Sequence, residues 1–467
     1  MLRIHNTLTK KVEDFVPRQD GTVNLFVCGP TVYDFSHLGH AKTYVQMDVL
    51  ARIIKASEYR LFYLQNITDI DDKIIKRAND RNIHWQQLRT TFQDEYIADM
   101  HSLNNTSVTE YARATDYIDD IISQVNRLVD KGHAYTIEGD GIYFEITTFA
   151  DYGKLSGRSE IKKDDAQTRI DESDNKRGWN DFCLWKFSKP GEPVWDAPFG
   201  AGRPGWHIED TAITEYFFGP QYDIHGGAVD LIFPHHEAEI TQMESISDQV
   251  PMVGYWVHTG FLTIDSEKMA KSAGNFYTIR EVIEKGYDPI AIRLFMLQSH
   301  YRSSVNFNFD NLDAAGNRLR NWRNVAALRH QTHDTLQDDD AKSTDDHSVS
   351  LYATSGAVIA ALQNDIDTPA ALTIIDEAFS LLQSARLEDI HQHAFIQLLE
   401  TIDELLGLQL IQSTPDISDD IKKVIIKRQH AREDKDWAAS DTLRAQIEAS
   451  GITVLDSASG PIWQYKS

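Results

Sequence analysis

The stretch TVNLFVCGPTVYDFSHLGHAKTYVQMDVLARIIKASEYRLFYLQNI, from Thr22 to Ile67, decides the architecture. Its opening, TVNLFVCG, is a short apolar run of the kind that forms a buried strand, and a Gly-Pro turn ends it. HLGHAKTYVQMDVLARIIKAS then carries helical periodicity, and RLFYLQNITDID reads as the next strand. Strand, helix, strand in this order is the β-α-β opening of a doubly wound α/β sheet, a fold that holds ligands at the carboxyl ends of its strands. Cys28 and the HLGH cluster, His37 to His40, fall at that end.

Outward from this unit the chain is uneven. Amphipathic helices are predicted from about residue 84 to 130, before a Gly-, Pro- and Trp-rich region between GIYFEI and GWHIED that reads as an insertion. Sheet-like sequence resumes at QYDIHGGAVDLIFPHHEAEITQM, GYWVHTGFLTI adds a strand, and after KMAKS the chain is predicted to be helical to its end. THDTLQDDDAKSTDDHS interrupts that part, its acidic Ser/Thr-rich composition predicting an exposed loop. There is no internal repeat. The expected organisation is a Rossmann-type domain over 1–110 and 226–265, an inserted connective region over 111–225, the KMAKS loop and a linking helical region over 266–310, a helical bundle over 311–405 and a small C-terminal domain over 406–467.

Bulk properties bound what such a chain can do. At 467 residues and 41% hydrophobic content it is globular and larger than one core usually organises. MLRIHNTLTKKVEDF has no apolar h-region and no segment is apolar long enough to span a bilayer, so the expectation is a soluble cytoplasmic protein without membrane contact. Two cysteines, Cys28 and Cys183, make no disulfide framework. Cys183, inside FCLW, reads as a small buried hydrophobe. The formal charge of −25 speaks against a generally basic coat. Two local cationic runs, Asn317 to His330 with four arginines and IKKVIIKRQHARED, read as solvated helix faces.

A helix N-terminus presents unsatisfied N–H groups and partial positive charge, which suits phosphate. His37 and His40 in its first turn add donors, and Gly39 leaves room for a flat base, so the stretch suits ATP. Far downstream, DSEKMAKSAGN places Lys268 and Lys271 on a Gly/Ser-rich loop, able to neutralise charge building on a transferring α-phosphate. In FPHHEAEI, His235 and Glu239 stand four apart and share a helix face, where they can grip one ion with Cys28 arriving from the first strand.

Paired HLGH (His37 to His40) and KMAKS (Lys268 to Ser272) resemble the two signatures of class I aminoacyl-tRNA synthetases. The chain more closely resembles the cysteinyl-tRNA synthetase family. FVCGPTVYDFSHLGHAKTYV, NITDIDDKII, GRPGWHIE, DIHGGAVDLIFPHHEAEI, KMAKSAGN and AREDKDWAASDTLRAQIEASGITVLD follow in the family's order over nearly the whole length. The resemblance implies ATP-dependent activation of L-cysteine to cysteinyl-adenylate, with Mg2+ accompanying ATP, and transfer to the 3′ end of tRNA(Cys) by a monomer. It implies that Lys271 stabilises the activation transition state. It also implies one zinc ion per chain held by Cys28, Asp210, His235 and Glu239. Asp210 stands where the family has a cysteine, a harder donor that zinc still accepts. Zinc would separate cysteine from serine by the bond to sulfur, with no need of an editing domain.

By the same resemblance Thr68, Trp206, His225 and Asp230 hold the amino acid, with Asp230 facing its ammonium group. Trp206 as core and Asp230 as a strand-end cap are the alternatives, and His207 is a further histidine that could ease thiolate formation. The tail resembles the family's anticodon domain in Arg428, Arg432, Trp437, Asp441 and Asp456. That tail separates this reading from a mycothiol-pathway cysteine ligase, which shares the core but lacks it. Intact HLGH and KMAKS separate it from a non-catalytic RNA-binding scaffold.

Overall fold

A computed structural model describes residues 1–158, 173, 175–269, 274–331 and 346–466. The chain divides into two compact units, Met1–Lys285 with Tyr301–Asn306, and Gly286–His300 with Phe307–Ser467.

In the first unit the quoted stretch folds as a strand over Thr22–Val27, a helix over Leu38–Ala56 and a strand over Arg60–Ile67. The two strands pair in parallel, Thr22 opposite Arg60 and Val27 opposite Gln65. Three more parallel strands complete the sheet: Glu110–Arg113 beside Arg60–Ile67, then Tyr222–Ala228 and Val253–Thr259 on the other side of Thr22–Val27. Numbered along the chain, the order across the sheet is 3-2-1-4-5, the doubly wound order, and its switch point lies between Thr22–Val27 and Tyr222–Ala228. The Leu38–Ala56 helix is buried on almost every side, including Lys42, Gln46 and Asp48, as a helix packed on a covered parallel sheet must be. Asp48 is satisfied by Arg52 and by the backbone N–H groups of Thr106 and Ser107.

Between the two halves of the sheet lies the insertion. Its four-stranded antiparallel sheet runs Ala134–Ile137, Gly141–Phe144, Phe182–Phe187, Gly202–Pro204. Cys183 is fully buried there among Tyr135, Ile137 and Tyr143, as a small hydrophobe.

The chain departs from expectation in three places. The region predicted helical from 84 to 130 is two helices, Trp85–Ser102 and Ile118–Asp130, separated by the edge strand Glu110–Arg113. Four residues with one buried apolar side chain, Ala112, carry too little periodicity to be read as a strand. GYWVHTGFLTI is two strands, Val253–Thr259 and Leu262–Ile264, broken at Gly260, and the second pairs with Glu267–Lys268. The chain also does not stay helical to its end, because Ile452–Ser457 and Gly460–Tyr465 form an antiparallel hairpin. The loop expected at THDTLQDDDAKSTDDHS falls almost wholly outside the described residues.

The second unit is otherwise helical, and its terminal part packs around the fully buried Trp463, with Ile425, Ile447, Ile452 and Val454. In the arginine-rich run predicted as a solvated face Arg320 is exposed as expected, while the other three arginines are half-buried and paired. Arg318 pairs with Asp376, Arg323 with Asp288, and Arg329 donates to the carbonyls of Ile411 and Thr414. Arginine's planar fork satisfies turn carbonyls that would otherwise lose water, a role that composition does not reveal.

Candidate active site

His37 is the N-cap of the Leu38–Ala56 helix. Its Nδ1 accepts the N–H of His40 at 3.3 Å, and the Nδ1 of His40 accepts the N–H of His37 at 3.4 Å. The rings stack 3.7 Å apart. Burial, then His37 and Lys73, holds the His40 pKa well below the usual histidine value, so the ring is neutral. With each Nδ1 lone pair used by a backbone donor, the remaining proton of a neutral ring sits on Nε2. The turn thus presents imidazole N–H donors beside the helix N-terminus, an arrangement that receives phosphate oxygens. Gly39 serves this geometry as well as leaving space: a Cβ there would stand 2.9 Å from Nδ1 and Cε1 of His37.

The same Cβ position lies 3.5 Å from Cε of Met269, so the start of KMAKS sits against HLGH. Backbone ties fix this approach, with Leu38 N–H donating to Tyr277 carbonyl at 3.1 Å and Ile279 N–H to Ser36 carbonyl at 2.9 Å. Lys268 occupies the hairpin Leu262–Ile264/Glu267–Lys268; burial raises the pKa of the Asp230 carboxyl, and Lys268 opposes that rise. Lys271 lies outside the described residues.

At the switch point the donor atoms of Cys28, Asp210, His235 and Glu239 all come within 4.8 Å of one another. Cys28 follows directly on the Thr22–Val27 strand. Gly29 lets that strand end press on its neighbour, since a Cβ there would fall 1.6 Å from the Asn66 carbonyl oxygen. Asp210 comes from the first turn of the helix Ile208–Phe218, and Asn66 donates to its Oδ1. Asp210 Oδ2 stands 3.3 Å from Cys28 Sγ and 3.1 Å from His235 Nε2, which is 3.2 Å from Glu239 Oε1. Burial, then the carboxylates of Glu239 and Asp210, pushes the Cys28 thiol well above its ordinary pKa. Burial and Asp210 likewise push up Glu239. Acids packed this closely away from water cannot ionise together without a cation, and a thiol, an imidazole and two carboxylates are a set that zinc accepts. Glu239 Oε2 is buried with no hydrogen-bond partner, as a ligand atom awaiting an ion would be.

Around this cluster stand three of the four residues expected to hold an amino acid. Trp206 stacks on His235 at 4.2 Å, Thr68 donates to Glu209 at 2.6 Å, and His225 Nε2 is 3.3 Å from Cys28 Sγ. Asp230, the fourth, stands at the exposed end of the Tyr222–Ala228 strand. His207 Nδ1 meets His235 Nδ1 at 2.8 Å.

Sequence reasoning missed His236, whose Nε2 lies 3.1 Å from Cys28 Sγ. Neighbours on an α-helix diverge by about 100°, so His235 and His236 should not face one thiol. His235 Nε2 instead meets Asp210 and Glu239 while His236 Nε2 meets Cys28, so the cluster receives two divergent rings, and the backbone before them kinks at Phe233 (φ −138°, ψ 128°). Glu237 was also missed. It is fully buried, and its carboxylate accepts N–H groups of Gly153 and Ser156 at 3.0 and 2.9 Å, joining the insertion to the ligand helix.

In the second unit Arg428 is 2% exposed and its guanidinium holds Asp456 at 2.8 and 3.1 Å. Arg432 reaches the same carboxylate at 3.2 Å and lies 5.7 Å over Trp437, which is 57% exposed. Asp441 is exposed on the same helix, Trp437–Ala449.

A parallel sheet in this order, with HLGH at a helix N-terminus and Met269 of KMAKS against it, defines a class I aminoacyl-tRNA synthetase. The match of residues 14–317 to the model for the tRNA synthetases class I (C) catalytic domain agrees, and residues 414–463 match the cysteinyl-tRNA ligase anticodon binding domain. The chain belongs to the cysteine–tRNA ligase family. It is 42% identical to the cysteine–tRNA ligase of Thermoplasma acidophilum over 99% of this chain and 100% of that one. It is also 42% identical to that of Laribacter hongkongensis with the same coverage. Among solved structures, the Mycobacterium tuberculosis methionyl-tRNA synthetase in complex with methionyl-adenylate superposes with a TM-score of 0.59 at 15% identity, covering 90% of this chain and 96% of that one. A LeuRS from Agrobacterium radiobacter gives 0.60 at 11% identity over 87% and 86%. These two likenesses concern the fold. Among the described residues no helix is long and apolar enough to cross a membrane.

Proposed function

We propose that this chain activates L-cysteine with ATP and transfers it to the 3′ end of tRNA(Cys). The observation that carries the reading is the convergence of Cys28, Asp210, His235 and Glu239 at the switch point of the sheet that also carries HLGH. In the first step the cysteine carboxylate attacks the α-phosphorus of ATP, accompanied by Mg2+, and pyrophosphate leaves. His37 and His40 donate from Nε2–H to phosphate oxygens, while Lys268 and Lys271 balance the charge that accumulates there. In the second step a 3′-terminal ribose hydroxyl attacks the acyl carbon and AMP leaves.

Cys28, Asp210, His235 and Glu239 hold one zinc ion in this reading, which when bound supplies a Lewis acid that favours a thiolate over a hydroxyl. Trp206, Thr68 and His225 wall the amino-acid pocket, and Asp230 receives the ammonium group. Arg432, Trp437 and Asp441 form the face that reads splayed anticodon bases, and Arg428 with Asp456 forms the frame beneath it. The protein works as a monomer in the cytoplasm, with the five-part division of the chain given above.

Cysteine-dependent ATP–pyrophosphate exchange tests the first step, and charging of tRNA(Cys) the second. Exchange with no preference for cysteine over serine would sink the substrate assignment. Lys271→Ala should slow exchange by about two orders of magnitude or more, the cost of losing a preorganised donor, and near-normal exchange would remove Lys271 from the mechanism.

A further inference from the structure

Three segments far apart in the sequence meet at Arg280, in the first turn of the helix Ile279–Glu284. Its Nε donates to Asp99 Oδ1 at 2.8 Å, and its guanidinium reaches the Glu95 carbonyl at 3.2 Å as well as the Glu95 carboxylate. The same guanidinium lies 5.0 Å over the ring of Phe35, two residues before His37. Asp99 is buried, while Arg280 and Glu95 are half-buried. Burial raises the pKa of Asp99, and Arg280 opposes the rise, as does the backbone N–H of Ser36. One carboxylate thus faces both the segment that precedes HLGH and the segment that follows KMAKS.

Asp99 is a fixed anchor. It sits on the helix Trp85–Ser102, whose Tyr96 donates its hydroxyl proton to Gln65 of the central sheet at 2.7 Å and packs edge-on against Tyr44 of the HLGH helix, ring centroids 5.6 Å apart. Thr278 and Glu281 close a capping box, which fixes the point where Arg280 leaves its own helix. The backbone beside Arg280 reaches His37 directly. His37 and Thr278 form an antiparallel bridge, Leu38 N–H donates to the Tyr277 carbonyl, and the Phe276 ring lies 5.3 Å from the His37 ring. Those ties set the spacing of the two segments, and Arg280, gripping Asp99 while it covers Phe35, links them to the frame helix. A planar fork that donates from its edge and stacks through its face suits this task, which an ammonium group meets only in charge.

We infer that Arg280, anchored on Asp99, is a positioning residue for adenylation, holding the His37 turn and the Phe276–Thr278 segment at the spacing from which the imidazole donors meet phosphate. The inference rests on the ATP-activating reading of HLGH. The amino-acid pocket and the ligand cluster are built from other elements, so the handling of cysteine should not depend on this clamp.

The test is ATP–pyrophosphate exchange by the full chain, with kcat and the KM values for ATP and cysteine measured at a temperature where circular dichroism shows each variant folded. Arg280→Ala should lower kcat/KM for ATP by about tenfold to a hundredfold, the effect of a displacement on the order of 1 Å, while the KM for cysteine and the metal content stay at wild-type values. Arg280→Lys should recover part of the loss. Asp99→Asn should show a similar defect, and Asp99→Asn/Arg280→Ala no more than the larger single one, because the pair acts as a unit. Unchanged exchange in Arg280→Ala overturns the inference, as do additive losses in the double variant or a rise in cysteine KM that matches the loss for ATP. Should Arg280→Ala not fold, Arg280→Lys decides: a lower kcat/KM for ATP at unchanged cysteine KM supports the clamp, and wild-type kinetics overturn it. A wild type without exchange would sink the ATP-activating reading and the inference with it.

Discussion

His37 and His40 cap each other: the Nδ1 of each accepts the backbone N–H of the other, at 3.3 and 3.4 Å, and their rings stack 3.7 Å apart. The two histidines thus close the helix start and aim the remaining imidazole protons outward.

This arrangement has a pH signature. The pKa of His40 is lowered in the folded protein by burial, His37 and Lys73, so the folded state disfavours the extra proton that the unfolded chain takes up below about pH 6.5. Stability from this group is full above that pH and declines as pH falls below it. His40→Asn, which keeps an acceptor and a donor but cannot titrate, should flatten the fall of Tm between about pH 7 and 5. A Tm profile parallel to the wild type would show that His40 titrates normally.

Gly39→Ala separates fold from activity. Alanine gains about 1 kcal/mol of helix propensity over glycine, while its Cβ, 2.9 Å from the His37 ring, disturbs a cap that contributes about the same. Tm should therefore change little. Adenylation should fall by about tenfold or more, because the imidazole donors move off the phosphate. Unchanged pyrophosphate exchange would show that the His37 ring position does not matter.

On the ligand pair Cys28 and Asp210, opposite effects are expected. Cys28→Ser removes the sulfur donor of the set with Asp210, His235 and Glu239 and should reduce zinc content and the discrimination of cysteine from serine. Asp210→Cys should retain zinc, bind it at least as tightly and preserve cysteine activation. Elemental analysis with cysteine and serine exchange checks both, and full zinc occupancy with unchanged selectivity in Cys28→Ser would refute the metal argument.

In the terminal helices the two kinds of residue should behave differently. Trp437 is exposed, and if a base stacks on it, Trp437→Ala should cost about 1–3 kcal/mol, roughly 5- to 150-fold in kcat/KM for tRNA, with pyrophosphate exchange untouched. Arg428→Ala should instead lower the Tm, by less than the roughly 3–5 kcal/mol of a wholly buried pair because Asp456 is 42% exposed. Equal loss in both half-reactions for Trp437→Ala would assign that residue to folding.

What the amino-acid sequence determined by itself was local. An apolar run ending in Cys28, a helix opening at His37 and a second apolar run are contiguous, and strand and helix periods express themselves over a few residues. The four-residue spacing of His235 and Glu239 likewise predicts a shared face, and their ligand atoms do meet. Only the tertiary structure decided what depends on distant segments or irregular backbone. Three of the four arginines of Asn317 to His330, Arg318, Arg323 and Arg329, look like part of a solvated face until their acceptors, Asp376, Asp288 and the carbonyls of Ile411 and Thr414, arrive from elsewhere in the unit. Arg428 and Arg432 lie four apart on one helix, yet packing buries the first and leaves the second beside Trp437. His236 adjoins His235 and by helical geometry should point away from Cys28. It nonetheless lies 3.1 Å from the thiol, because Cys28 and Asp210 arrive from distant segments and meet His236 and His235 separately, which no periodicity records.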